Sequence, residues 1–278
     1  MRPFALAILM LVAAVLVSPS PAAGDDNDLL DQIELTHKAT RERLRSYTAS
    51  GTYTRKEKDW KEAEATKFKL QYKSGNYRLE IFPPRVDRPE PQYDKIIVVA
   101  DADCFYSTLY SKRFPAGCET SIRKRDSASV QAATGMSMDV ANLDLAAAQI
   151  PKIRKQYGMR AAQDANGDIH TEHDLDEVTR VECTAAAAAG LNISRIAFVH
   201  PSTGNPQAIT TFAWEQKKDA WYVKEVEQAY SKSGTIYKVR FDTFDIDVPL
   251  DDKLFTFEGL DPCPGSRVID RRPKAERK

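Results

Sequence analysis

Residues 192–257 read NISRIAFVHPSTGNPQAITTFAWEQKKDAWYVKEVEQAYSKSGTIYKVRFDTFDIDVPLDDKLFTF. Apolar side chains recur there at alternating positions: Ile196 and Phe198, then Ala208, Phe212 and Trp214, then Tyr237, Val239 and Phe241. A period of two gives each strand one apolar and one wet face. The stretch predicts four strands joined by turns, with Leu254-Phe255-Thr256-Phe257 closing the set. A large antiparallel sheet with one apolar face needs a cover, which can be helices, a second sheet or a bound apolar ligand.

The same alternation is present upstream. Residues 47–56 place Tyr47, Ala49, Gly51 and Tyr53 on one side. Residues 65–73 place Phe68, Leu70 and Tyr72 opposite a row of lysines, and residues 76–82 place Tyr77, Leu79 and Ile81 inward with Arg78 and Glu80 outward. Together they form a meander with one consistent inner face. Pro83-Pro84 ends it, and a proline-rich loop runs to Pro91. Residues 94–100 are more continuously apolar, through Ile96, Ile97, Val98 and Val99, as a strand buried on both faces is, and an aromatic strand follows at 104–110. Before all of these, residues 25–45 carry Leu30, Ile33, His37, Thr40 and Leu44 at helical spacing behind an acidic start, which predicts a helix lying on the sheet.

Residues 127–158 change character. Met136, Met138, Leu143, Leu145 and Ile150 predict one or two helices, broken at Pro151 and able to cap the apolar face as a lid. Asn166-Gly167 marks a hairpin turn. Residues 185–189 read either as a helical turn or as a linker, and the charged end beyond Arg267 reads as a fraying tail, with 271–278 outside the domain.

Composition bounds the rest. Arg2, an apolar run from Phe4 to Val17 and a small-residue exit to Gly24 form a signal peptide over 1–24, too short to span a bilayer. The mature chain is expected to be exported and soluble, one β-rich domain over 25–270. Lys+Arg and Asp+Glu both number 40, so nothing favours nucleic acid. Four cysteines in an exported chain favour disulfides. Of three pairings, Cys104–Cys118 with Cys183–Cys263 is favoured because the first pair flanks a single predicted hairpin. No C-x-x-C spacing supports zinc.

No catalytic constellation is found: there is no G-x-S-x-G elbow, H-E-x-x-H or glycine-rich phosphate loop, and nothing calls for a cofactor or metal. His170-Thr-Glu172-His173-Asp174 is the densest polar cluster, but on a strand positions i and i+3 point to opposite faces. Trp214 and Trp221 flank a hairpin through 216–219 and read as core.

Three sets of residues carry a resemblance across most of the mature chain. They are Asn76-Tyr77-Arg78-Leu79-Glu80 before Pro83-Pro84; Ile97-Val98-Val99-Ala100-Asp101 leading to Phe105-Tyr106; and Leu254-Phe255-Thr256-Phe257 before Pro262, Gly265 and Val268-Ile269-Asp270. With these the chain resembles the LolA-like outer-membrane lipoprotein carriers and their relatives, the RseB-type regulatory periplasmic proteins. The resemblance implies a mainly β fold with α: an incomplete antiparallel β-barrel, or half-barrel, whose open concave face is covered by helices and binds acyl chains. It implies a periplasmic, monomeric carrier of a lipoprotein or lipid. Such carriers receive cargo from an inner-membrane ABC transporter and pass it to an outer-membrane receptor. They place Arg-Pro before the strand matching residues 76–82, and a family arginine latches the lid. This chain has Lys73-Ser74 there, and Arg78 fits a second basic position.

Each methylene moved from water to an apolar site gains ~0.8 kcal/mol, so a lipid crosses an aqueous compartment only inside a groove with a lid. Phe68, Leu70, Tyr77, Leu79, Ile81, Phe198, Phe212 and Trp214 are the expected wall. The expected function is non-catalytic carriage. The rivals are a sensing or interaction module on the same scaffold, and a metal-dependent hydrolase using His170, Glu172, His173 and Asp174.

Overall fold

The computed structural model describes residues 26–84, 93–125 and 159–272. The expected signal peptide, the lid residues Met136, Met138, Leu143, Leu145 and Ile150, and the end of the tail lie outside the described residues. Among the described residues one α-helix, α1 (Asp26–Arg43), precedes the strands. A first meander follows: β1 (Ser46–Lys56), β2 (Glu64–Lys73), β3 (Asn76–Phe82), β4 (Lys95–Ala100), β5 (Cys104–Tyr110) and β6 (Cys118–Lys124). A second comprises β7 (Arg160–Gln163), β8 (Ile169–Asp174), β9 (Arg180–Ala186), β10 (Asn192–Val199), β11 (Pro206–Lys217), β12 (Ala220–Tyr230) and β13 (Thr235–Ile246). The chain ends in β14 (Arg267–Asp270).

Consecutive strands pair antiparallel within each meander, and β1 pairs with β13 to join the two. The result is an open, unclosed 14-stranded sheet running from β14 and β6 at one edge to β7 at the other, consistent with a half-barrel. The four strands expected between 192 and 257 are β10 to β13. The turns follow local chemistry. Ser74 and Gly75 both have positive φ, the two-residue turn that matches strand twist, and Lys218-Asp219 does the same between β11 and β12.

Three expectations are corrected. Leu254-Phe255-Thr256-Phe257 does not extend the sheet; it forms parts of two 3-10 turns, Asp252–Phe255 and Phe257–Leu260, that pack on β3, β4 and β5. Residues 267–270 do not fray but form β14, which runs parallel to β6. The hairpin of β5 and β6 puts Cys104 opposite Lys124 and Cys118 opposite Tyr110. Six residues of strand, about 20 Å, separate those two cysteines, beyond the reach of a disulfide. Cys183 lies on β9 in the other meander, and the structure joins no pair among the four cysteines. Among the described residues one helix lies on part of the apolar side, and the expected lid helices fall outside those residues. Helix α1 contacts β7, β10 and β12 and buries Leu29, Leu30 and Ile33 with Met159, Ile169, Ala185 and Ile193. Its Thr40 hydroxyl donates to Asn192 Oδ1 at 3.1 Å.

Candidate functional site

β1 is the centre of the apolar face. Its side chains alternate in burial along the strand, with Tyr47, Ala49, Gly51 and Tyr53 inside. Gly51 faces Phe68 on β2 and Phe241 on β13, and those two rings meet edge to face at 5.5 Å across it. A Cβ at position 51 would lie 2.1 Å from the Arg240 carbonyl oxygen and 2.8 Å from the Phe68 ring, so only glycine fits. One turn along the strands, four rings stack in a row across β2, β1, β13 and β12. Tyr72 lies 4.9 Å from Tyr47, Tyr47 lies 4.7 Å from Phe244, and Phe244 lies 4.3 Å from Tyr222. A bulge makes this row: Ser50 pairs with Thr243 but Gly51 pairs with Phe241, so Asp242 is extra and Phe241 and Phe244 share a face.

Beyond Phe68 the face turns aliphatic, through Leu70, Leu79, Ile81, Ile96 and Val98 to Phe105 on β5. One apolar cluster therefore crosses seven neighbouring strands, from β5 to β12. Several of its members are tyrosines. Burial pushes the Tyr222 hydroxyl up to about 12, helped by its hydrogen bond to Glu215. Tyrosines of this kind supply apolar ring area with a polar tip.

Among the expected wall residues, Phe68, Leu70, Tyr77, Leu79 and Ile81 are each 2% exposed or less. They are brought together in this cluster, and the wall is covered rather than open to water. Phe212 and Trp214 are half-buried at its margin. Phe212 also touches the cluster under α1, and the Trp214 indole N–H donates to the Ile193 carbonyl at 2.8 Å. Phe198 is half-buried on β10, beside Val181 and Ala208, outside the clustered wall. Tyr47, Phe244 and Tyr222 belong to the wall but were not expected in it. The alternation at Tyr47 was readable; Phe244 was hidden by the bulge.

The outer face of the same limb is crossed by residues 247–263, a strap. Lys73 Nζ donates to the Leu250 carbonyl at 2.8 Å and pairs with Asp252 at 2.7 Å. Arg78, 8% exposed, donates to the Gly259 carbonyl and pairs with Glu80 at 2.9 Å. Leu260 is fully buried against Ile97 and Val99, and the Tyr110 hydroxyl donates to the Asp261 carbonyl at 2.8 Å. β4 is thus buried on both sides, as its unbroken apolar run predicts. Arg78 points outward, as its parity predicts, and its partner is the strap.

In the far limb His170 is exposed and His173 buried, on opposite faces of β8, so the two rings do not converge. His170 pairs with Asp164 at 3.2 Å, and that hydrogen bond holds the Asp164 carboxyl below its usual range. Burial lowers the His173 imidazole, against a weaker opposite pull from Asp174. Among the described residues no group of three or more His, Cys, Asp or Glu is placed to hold a metal ion. A cavity of about 450 Å³ lies beside Arg160, Ala161, His170, Glu172 and Arg195. Its Glu172 already pairs with Arg160 and Arg180 at 3.4 Å each. No described helix is long and apolar enough to cross a membrane.

Neither a protein-family model nor a curated protein matches the chain in sequence. Solved structures do match in fold. A domain assigned to outer membrane lipoprotein sorting, from Vibrio parahaemolyticus, is similar at TM-score 0.54 and 15% identity, covering 85% of this chain and 99% of its own. A DUF1329 family protein from Desulfovibrio piger is similar at TM-score 0.54 and 11% identity, covering 86% and 100%. A LolA superfamily protein from Nitrosomonas europaea is similar at TM-score 0.51 and 12% identity, covering 86% and 100%. The fold is LolA-like.

Proposed function

We propose that this protein is a non-catalytic periplasmic carrier whose inner face takes up the acyl chains of a lipid or lipoprotein. The observation that carries the reading is the apolar face that continues across seven strands. An acyl chain of a dozen methylenes laid on such a face gains about 10 kcal/mol over water, enough to hold it through transit. The proposed wall is Phe68, Leu70, Tyr77, Leu79 and Ile81, with Phe198, Phe212 and Trp214 towards the far limb. The wall is covered in this structure, so uptake requires the cover to open and cargo to take its place. The segment bearing Met136, Met138, Leu143, Leu145 and Ile150 is the proposed lid, because flexible apolar side chains re-pack readily. An inner-membrane ABC transporter as donor and an outer-membrane receptor as acceptor would complete the route, and the residue 1–24 leader would supply export.

The test is direct. The chain is expressed with its leader, purified without detergent and extracted with organic solvent for mass spectrometry. Co-purifying lipid, and saturable binding of a fluorescent fatty acid after delipidation, are expected. A lipid-free preparation that also fails to bind the fatty acid overturns the proposal.

A second reading, a sensing or interaction module on the same scaffold, is favoured by one observation. The two basic residues at the carriers' basic motif positions, Lys73 and Arg78, are both engaged by the strap on the outer face. Recovery of an envelope signalling protein as the dominant partner from envelope extract supports it; recovery of transporter subunits or lipoproteins supports carriage.

A further inference from the structure

We infer that Cys118 and Cys263 form a disulfide that fastens the C-terminal strap to the outer face of the sheet. Cys118 opens β6, directly after the turn that joins it to β5, and is 2% exposed. Cys263 follows the second 3-10 turn of the strap, four residues before β14 joins β6. The Cys263 backbone N–H donates to Cys118 Sγ at 3.0 Å. Cys263 Sγ itself lies 3.8 Å from the position a Cβ would take on Gly117, the residue before Cys118. Two independent contacts therefore bring these residues together, although 145 positions separate them in the chain. The other thiols are placed elsewhere: Cys104 at the opposite end of the β5–β6 hairpin, Cys183 on β9.

The chemistry is thiol–disulfide exchange. Cys263, the more exposed of the two, attacks a disulfide of the oxidant as its thiolate, and one oxidant sulfur leaves as a thiol. Cys118 then displaces the second oxidant sulfur and closes the Sγ–Sγ bond. The two cysteines together lose two protons and two electrons, and the oxidant's disulfide becomes two thiols. The oxidant is a disulfide of the glutathione or dithiol-oxidoreductase class. Burial and the neighbouring Cys118 sulfur push the Cys263 thiol up to about 11. A reduced form with so little thiolate stabilisation marks a structural bond rather than a catalytic one. Closing so long a loop also restricts the unfolded chain strongly.

The full chain, purified without reductant, is equilibrated with oxidised glutathione, alkylated with a maleimide in denaturant and digested. Reactive thiols fall from four to two, and one linked peptide pair joins Cys118 to Cys263. A Cys104→Ser/Cys183→Ser double variant keeps that link, whereas Cys263→Ser keeps all three remaining thiols. On the wild-type chain, reduction speeds hydrogen exchange across Arg267–Asp270 and leaves exchange in β1 unchanged. Four thiols that survive oxidised glutathione, or a link made through Cys104 or Cys183, overturn the pairing. Unchanged exchange in β14 on reduction overturns the fastening role. The exported compartment supplies the oxidant in the cell, but the measurement is made in solution and involves no lipid, so this inference and the carrier reading fail separately.

Discussion

The limb from β1 to β6 turns its apolar side onto the rings and aliphatic side chains of its own sheet and of β12 and β13, and its outer side is crossed by the strap. The limb from β7 to β10 has its apolar side under α1, and its outer side carries paired charges such as Arg180–Asp174 at 2.7 Å and Arg160–Glu172 at 3.4 Å. The difference is one of reach. A helix of 18 residues is about 27 Å long, whereas strands spaced about 4.8 Å apart carry a 14-stranded sheet more than twice as far. One helix can therefore cover one limb. The wall of the near limb is buried beyond the reach of that helix, and the strap packs on its outer side.

The comparison can be broken most severely at the aromatic centre of the near limb. Phe241→Ala removes the partner of Phe68 and Phe244 and is expected to cost about 4 kcal/mol in urea unfolding. A loss below 1 kcal/mol would show that the rings are not what holds that limb. Arg78→Met should cost about 2 kcal/mol, because it removes charge-assisted hydrogen bonds to Gly259 and Glu80 from a buried site. Faster exchange in the strap with unaltered fatty-acid binding is expected; equal loss of binding would mean that strap and groove are one unit.

The far limb should respond to acid. The folded state holds the His173 pKa below its ordinary value of about 6.5, so the unfolded chain takes up the proton first. Stability is intact above pH 6.5 and falls as the pH drops below it, by at most about 1.4 kcal/mol per pH unit. His173→Gln is expected to flatten that slope, measured from urea midpoints at pH 7.5 and 5.5; an unchanged slope removes His173 as its source. The smallest effect belongs to the outer charges. Arg180→Ala breaks partly exposed pairs with Asp174 and Glu172 and should cost less than about 1 kcal/mol, mostly removed by salt.

Much of this was legible in the sequence where a local rule suffices. Parity placed Leu70, Leu79 and Ile81 inside, Arg78 outside, and His170 opposite His173. Continuous apolarity marked β4 as covered on both sides. Parity failed where the chain adds a residue: the extra Asp242 brings Phe244 round beside Phe241, and no count of twos finds it. The cysteines failed for a related reason. A hairpin brings its two strands together, but Cys104 and Cys118 each begin a strand, and two antiparallel strands begin at opposite ends.

Alternation, turn residues and helical spacing are properties of neighbours along the chain, and from them β1 to β5, β10 to β13 and the helix α1 follow. Which distant residues meet is a different matter. That residues 247–263 cross the outer face, that Lys73 and Arg78 hold them there, and that Cys263 comes to rest on Cys118 were settled only when the sheet took its final order. Contacts across 145 positions leave no periodic trace, because they depend on the packing of the whole and on no local conformation.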